Sequence, residues 1–205
     1  MTVVQPSRLS SRTLTASFDQ SQIFLRRLLS NYKYDDTLLM FEGYAAGPHY
    51  RQGGSGSNHL CLHEYPQWGS YWDGYQHRSG AIYGVEYEFP QMNVFSKSNN
   101  GGNSLRNNPA PCAVCYVGGR STILMVPART QCPDGWTREY GGYLASQSIN
   151  FTRSNYICLD GAPEVAVGGY NGEQGVFYSV EVHCGGLPCS VYNTGRELTC
   201  VVCSK

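Results

Sequence analysis

The sequence predicts an all-β protein, built as a tandem duplication of two disulfide-stapled β subdomains. Three observations predict this class: a composition rich in glycine and tyrosine, short segments in which apolar and polar residues alternate, and motifs that occur twice in the same order. The 24 glycines and 16 tyrosines among 205 residues suit short strands joined by glycine turns. The chain is long enough for one large domain or two small ones.

Four motifs of the first half reappear in the second half. Their separations are 99, 97, 95 and 88 residues, so the connecting loops rather than the strands differ in length. Such ordered self-similarity indicates a tandem repeat of one subdomain of about 90 residues. We expect an N-terminal extension over 1–40, a first subdomain over 41–120 and a second over 121–205. The matching pairs are FEGYAAG (41–47) with YGGYLAS (140–146), NHLCL (58–62) with NYICL (155–159), YGVEYE (83–88) with YSVEVH (178–183), and CAVC (112–115) with CVVC (200–203).

Each half contains a segment with the two-residue period of a β-strand, which places its apolar residues on one face. The alternating residues are Tyr83, Val85, Tyr87 and Phe89 in the first half, and Val176, Tyr178, Val180 and Val182 in the second.

Other segments differ in character. The apolar run 121–128 predicts a buried strand that ends at Pro127. Residues 90–110 are rich in Asn, Gly and Ser and predict a long loop with little apolar anchoring, of which 162–175 is a shorter analogue. The one helical signal is Ser17–Tyr32, a candidate docking or oligomerising segment in the extension.

Charge and hydropathy exclude several classes of protein. The formal net charge is zero and only 15% of residues are charged, which argues against a nucleic-acid binder with a basic surface. No apolar run approaches the length of a membrane span. The N-terminus lacks the apolar core of a signal peptide, so we expect either a fragment, an incomplete gene model or an unusual secretion route. The sequon at Asn150 permits N-glycosylation outside the cell.

Nine cysteines allow three kinds of chemistry: zinc binding, thiol redox and disulfide bonding. A zinc site built on two CxxC pairs needs a tight turn within each pair, but Ala-Val and Val-Val separate these cysteines. A redox CxxC sits at a helix N-terminus, and these motifs lie at the ends of strands. In an extended strand, positions i and i+3 point to opposite faces, so each cysteine of a pair meets a different partner. Disulfides are the favoured interpretation.

The count of cysteines differs between the halves. The second half has six, which close as three bridges, whereas the first has three and leaves one thiol over. The first-half equivalent of Cys132 falls near Asp35, and the Cys184 and Cys189 pair has no counterpart. The second-half cysteines are Cys132, Cys158, Cys184, Cys189, Cys200 and Cys203, and the first-half cysteines are Cys61, Cys112 and Cys115.

Other candidate sites are weaker. His59, Cys61 and His63 would share one face of a strand as a metal triad, but the second half does not repeat it, and two partly exposed structural histidines are the alternative. Glu86 and Glu181 repeat and are expected to be exposed strand carboxylates. No nucleophile and base can be named, so we expect neither an enzyme nor a cofactor or metal.

Two parts of the chain resemble a known family: CAVC followed by ILMVPARTQCPDGWTREYGGYLAS, and the terminal RELTCVVCSK. They are similar to the C-terminal non-collagenous domain of type IV collagen, and more closely to that of short-chain, spongin-type collagens. That domain is also a duplication in which CxxC closes each half. The resemblance covers roughly 41–205, and the chain has no Gly-X-Y repeat.

The resemblance implies a fold like that of the type IV collagen non-collagenous domain, and a secreted, non-enzymatic role in extracellular matrix assembly. Its partners would be further copies or related matrix chains, as a homo-oligomer such as a trimer. The alternative is a secreted recognition module for glycans or defence, in which Trp68 and Trp72 stack on sugars. The pairing that the resemblance implies is Cys61–Cys112, Cys132–Cys203, Cys158–Cys200 and Cys184–Cys189, with Cys115 a free or intermolecular thiol.

Overall fold

Nine β-strands form the regular structure of the part of the chain that the computed structural model describes, which is residues 37–74, 76, 79–89, 94–96, 104–172 and 174–205. The predicted helix over Ser17–Tyr32 lies outside these residues, and none of the described residues forms a helix able to cross a membrane. The strands are β1 (Thr37–Gly47), β2 (Leu60–His63), β3 (Tyr83–Tyr87), β4 (Pro111–Val117), β5 (Ile123–Pro127), β6 (Thr137–Ser146), β7 (Ile157–Asp160), β8 (Gly175–Ser179) and β9 (Thr199–Ser204).

All nine strands belong to one sheet, so the prediction of an all-β fold is confirmed for the described residues. Its main path runs β2-β1-β3-β8-β6-β9-β5, with β4 as a further partner of β1 and β7 as a further partner of β6. The pairs are antiparallel except β3 with β8, which runs parallel and joins the two halves.

The long strands β1 and β6 pair with their neighbours in the same register. Gly43 lies opposite His63 and Cys112, and Gly142 lies opposite Asp160 and Cys200. Even the irregularities correspond, because a bulge interrupts β1 between Leu39 and Phe41 and β6 between Arg138 and Tyr140. The isolated β-bridges also correspond between the halves: Glu86 pairs with Pro109, and Glu181 pairs with Glu197.

Gly43 and Gly142 occupy the point where a long strand is flanked on both sides. A Cβ atom at Gly43 would collide with the backbone carbonyl of Leu62, and one at Gly142 with that of Leu159. A residue without a side chain is therefore required at both positions for the flanking strands to approach.

The halves differ at their outer edges. In the second half β9 lies between β6 and β5, whereas β4, its counterpart in the first half, pairs only with β1 among the described residues. β5 ends at Pro127, as predicted. The expectation that it is buried is wrong, because Ile123 is 44% and Leu124 40% exposed on this edge strand.

The main hydrophobic cluster draws residues from both halves, including Tyr87, Phe89, Ile157 and Phe177, all at most 1% exposed. The predicted alternation is only partly right. Phe177, between two residues of the expected apolar face of β8, is itself fully buried, because β8 is central in the sheet and covered on both faces.

The connection between β3 and β4 is better anchored than the sequence suggests. Phe95 and Leu105 are 4% and 2% exposed and belong to the main cluster, with the Phe95 ring stacked on Phe89 at 4.3 Å between centroids. The expectation of little apolar anchoring over 90–110 is therefore wrong. These two apolar residues anchor the parts of the connection that the structure describes, 94–96 and 104–110.

A second cluster joins β4 to the face of the second half. Ala113 is fully buried in it and Cys115 packs against it, together with Tyr140, Val202 and Met125. Next to this cluster, Arg120 forms an ion pair with Glu139 at 3.4 Å, and the Ser204 hydroxyl donates a hydrogen bond to the same carboxylate.

Candidate functional site

Four disulfide bonds staple the chain, and they join the same cysteines as the resemblance implies. One bond lies in the first half and three lie in the second. Their Cα–Cα distances are 5.1 to 5.9 Å, within the usual range for cystines. The bonds are Cys61–Cys112, Cys132–Cys203, Cys158–Cys200 and Cys184–Cys189.

Two of these disulfides, one in each half, occupy corresponding positions. Cys61–Cys112 joins β2 to β4, the strands that flank β1, and Cys158–Cys200 joins β7 to β9, the strands that flank β6. Within the second CxxC motif, Cys200 and Cys203 reach different partners because strand alternation points them to opposite faces.

Cys115 is the one free cysteine among the described residues, and its side chain is half-buried. Burial, together with the negative charges of Glu139 and Glu42, raises its pKa to about 11. The thiol is therefore protonated and weakly nucleophilic at neutral pH. Its second-half counterpart, Cys203, is bonded to Cys132, whereas the equivalent position near Asp35 lies outside the described residues.

The residues of the proposed metal triad have three different environments. Cys61 is in a disulfide, so its sulfur is no thiolate ligand. His63 is exposed, accepts a hydrogen bond from the Tyr65 N–H and stacks on Phe41. No group of three or more metal-ligating side chains occurs among the described residues.

His59 is 2% exposed, so the expectation of a partly exposed histidine is wrong. Its ring packs on Phe177 with the centroids 4.8 Å apart, and neither ring nitrogen has a hydrogen-bond partner among the described residues. Burial lowers the pKa of His59 to about 4, so the ring is neutral and acts as an aromatic core residue.

The two repeated carboxylates, Glu86 and Glu181, differ in their exposure to solvent. Glu181 is exposed, as expected, but Glu86 is only 5% exposed and the expectation for it is wrong. Glu86 accepts a hydrogen bond from the Gly172 N–H at 2.7 Å. The physical reason is that β3 lies between β1 and β8, where a loop of the second half covers its outer face.

The loop between β2 and β3 displays four aromatic side chains within eight residues. Trp68 and Trp72 are 77% and 87% exposed, and Tyr65 and Tyr71 are 74% and 68% exposed. Several exposed aromatic side chains close together in the sequence indicate a binding surface, whereas a single exposed apolar residue does not. Asn150 of the sequon is exposed in a turn, where a glycan could be attached.

An open cleft of about 380 Å³ lies beside β6, next to the bulge that follows Arg138. Arg138, Tyr143, Thr130 and Thr199 line it, and Phe95 closes one side. Sequence reasoning missed this cleft because its walls come from five separate segments of the chain. Its lining offers one cation, Arg138, and the hydroxyl groups of Ser96, Thr130, Tyr143 and Thr199, with no pair of a nucleophile and a base among the described lining residues.

No family model matches the chain, and no solved structure matches it. The functional interpretation therefore depends on the chain's own residues, foremost the disulfide framework and the exposed aromatic loop.

Proposed function

We propose that this chain is a secreted structural module of the extracellular matrix, a tandem duplication similar to the non-collagenous domain of type IV and spongin-type collagens, which associates with further copies of itself or with related matrix chains. The proposal assigns it no catalytic activity. Its working state is a homo-oligomer, and a trimer is the expected form.

The observation that carries the proposal is the shared register of the two halves. Each long strand has corresponding partner strands, a bulge at the matching position and a disulfide between its two flanking strands. The resemblance to the collagen domain implies the two disulfides. Two unrelated halves would have no reason to share a bulge and a bridge at matching positions. This supports the duplication and, through it, the assembly role.

The disulfides support the proposed compartment. Four bonds in a chain of 205 residues are typical of proteins that work in an oxidising environment outside the cell. The exposed Asn150 agrees with this, because N-glycosylation occurs on the secretory route.

The aromatic loop supplies a candidate contact surface. Tyrosine and tryptophan are enriched among the residues that contribute most to the free energy of protein association. Trp68 and Trp72 are 77% and 87% exposed, so a partner could bury most of their area. We assign the association to this loop.

The experiment measures the molar mass of the purified protein in solution by light scattering. It compares the parent chain, the double variant Trp68→Ala with Trp72→Ala, and the single variant Tyr170→Ala. Tyr170 is the matched control, since it is an aromatic 79% exposed in the second half. We expect a stable oligomer for the parent and the control and a monomer for the double variant. A parent that stays monomeric at all concentrations contradicts the proposal.

The same two tryptophans favour a second function, glycan recognition, because exposed aromatic rings stack on sugar faces. A glycan array on the monomeric double variant and on the parent separates the two. Specific sugar binding by a monomeric parent, lost in Trp68→Ala, would replace the assembly role. A ligand-free oligomer that binds no glycan would eliminate the recognition role.

A further inference from the structure

The cleft beside β6 has walls that hydrogen bonds and ring contacts hold in place. The Ser96 N–H donates a hydrogen bond to the Gly161 carbonyl at 2.7 Å, and the Gly161 N–H donates one to the Gly141 carbonyl at 3.2 Å. The Phe95 ring meets Tyr143 edge to face, with the centroids 5.4 Å apart. The cleft is therefore preformed, and its volume of about 380 Å³ is in the range of small-molecule sites.

Arg138 is the one cation among the residues that line the cleft. Its guanidinium lies against Gly141, since a Cβ atom there would be 2.5 Å from the Nη2 atom. Asp160 interacts with Arg138 electrostatically, but its Oδ1 atom already accepts a hydrogen bond from the Ala162 N–H at 2.7 Å. The guanidinium forms no hydrogen bond or ion pair with a described residue, so its N–H groups are available to a ligand.

The first half shows that the shared backbone does not require this arginine or the glycines around it. By the register of the long strands, Leu39 corresponds to Arg138. Glu42 corresponds to Gly141 in the same way. The backbone hydrogen bond that ends on Gly141 also has a counterpart, from the Glu64 N–H to the Glu42 carbonyl at 3.0 Å. An arginine beside two residues without side chains is thus a feature of the second half alone, and folding does not account for it.

Hydroxyl groups and aromatic rings complete the lining. Thr130, Tyr143 and Thr199 contribute hydroxyls that can both donate and accept, and none of the three is bonded to a described residue. Phe95 and Tyr143 add apolar ring surface. A guanidinium pairs best with a planar carboxylate or a similar oxyanion, which accepts from two of its N–H groups. A polyhydroxylated ring that bears one acidic group matches this combination.

We propose that the cleft binds an acidic sugar unit, whose carboxylate or sulfate ester pairs with the Arg138 guanidinium while its hydroxyls bond to Thr130, Tyr143 and Thr199. The proposal does not depend on the assembly role, and it uses no residue of the aromatic loop between β2 and β3.

NMR titration of the isotope-labelled full chain tests the site. The probes are glucuronate, glucose 6-sulfate and neutral glucose. We expect either acidic sugar to shift the amide signals of Gly141 and Gly161 saturably, and the tighter binder identifies the acidic group. Glucose should bind about tenfold more weakly or less, because it lacks the charge-assisted hydrogen bonds. Glucose that binds as well as both acidic sugars, or the absence of saturable shifts with either of them, overturns the proposal.

Two variants change the cation in different ways. Arg138→Gln removes the charge and should weaken binding of the acidic sugar about tenfold. Gly141→Ala keeps the charge but places a methyl group where the guanidinium lies, and should weaken binding at least threefold. The matched control is Arg129→Gln, since Arg129 is an exposed arginine next to Thr130 in the chain that does not line the cleft. The melting temperature of each variant first verifies that it is folded.

The control should bind the acidic sugar as the parent does. An equal loss in Arg129→Gln and Arg138→Gln would mean that net charge, and no particular site, attracts the anion, and it overturns the proposal. Parent-like binding by Arg138→Gln also overturns it. The double variant Trp68→Ala with Trp72→Ala should retain the acidic-sugar shifts whatever its molar mass. Loss of binding in that variant but not in Arg138→Gln would assign the sugar to the aromatic loop and contradict the assignment to the cleft.

Discussion

The two halves share a strand order and a register but are held together by different means. The second half has three disulfides, a strand on each side of β9, and an ion pair and a hydroxyl on Glu139. The first half has one disulfide, no described strand on the outer side of β4, and exposed Leu38 and Met40 at the positions that correspond to Thr137 and Glu139.

The difference teaches which interactions the fold requires. The glycine in each long strand, the bulge and the disulfide between the flanking strands occur in both halves. The other bridges and the polar contacts occur in one half only and add stability without setting the topology.

Removing the shared bridge should have the largest effect in either half. Cys61–Cys112 and Cys158–Cys200 close loops with sequence separations of 51 and 42, so alanine in place of both cysteines should lower the free energy of unfolding by roughly 4 kcal/mol in each case. Equilibrium urea unfolding measures this.

The matched control is Cys184→Ala with Cys189→Ala, which opens a loop with a separation of only 5 and should cost roughly 2 kcal/mol. If the control costs as much as the shared bridges, loop entropy is not the basis of their contribution.

His59 should give the next largest effect, and it distinguishes the halves because its counterpart, Tyr156, is 60% exposed. Its pKa is about 4 in the folded chain and about 6.5 when unfolded, so protons bind preferentially to the unfolded state between these values. Stability is therefore complete above about pH 6.5 and falls by about 3 kcal/mol as the pH drops towards 4.

His59→Leu should remove that part of the pH dependence, measured as the urea midpoint from pH 7.5 to 4, because leucine does not bind a proton. The exposed His183→Gln should keep the profile of the parent. A His59→Leu profile as steep as that of the parent would mean that other groups cause the acid instability.

Gly43→Ala and Gly142→Ala should destabilise the two halves alike, by roughly 1–3 kcal/mol each, because the added methyl group meets the carbonyl of the neighbouring strand. Gly84→Ala is the control, since a Cβ at that strand position meets nothing within 4 Å. The melting temperatures of the three variants, compared with that of the parent chain, measure these effects. A large effect at only one of the two glycines would break the equivalence of the halves.

The smallest effect concerns Cys115. Its pKa of about 11, against 9.0 for an ordinary thiol, reduces the thiolate fraction at pH 8 about 100-fold, so iodoacetamide should label native protein about 100-fold more slowly than unfolded protein. Cys115→Ser should change stability by less than about 1 kcal/mol. Fast labelling, or an interchain Cys115 disulfide in the native protein, would contradict the buried environment.

The sequence was most informative where a pattern is local or repeated. The presence of a strand around Val85 and Tyr87, the end of β5 at Pro127 and the opposite faces of Cys200 and Cys203 all follow from strand geometry. It failed where burial depends on distant segments. His59 and Glu86 are buried because the second half packs over the first, and the parallel pairing of β3 with β8 leaves no signature in either strand.

The positions of the bridges also decide how the chain behaves when it is stretched from its ends. Force passes through the sulfur atoms, so the loops closed by Cys61–Cys112 and Cys132–Cys203 carry no load. Residues 113–131, which connect the two loops, have a contour length of about 65 Å at roughly 3.4 Å per residue. β1 precedes Cys61 and therefore bears load, so tension can peel it from the first half, whereas β6, β7 and β8 lie inside the loop closed by Cys132–Cys203 and are shielded from force.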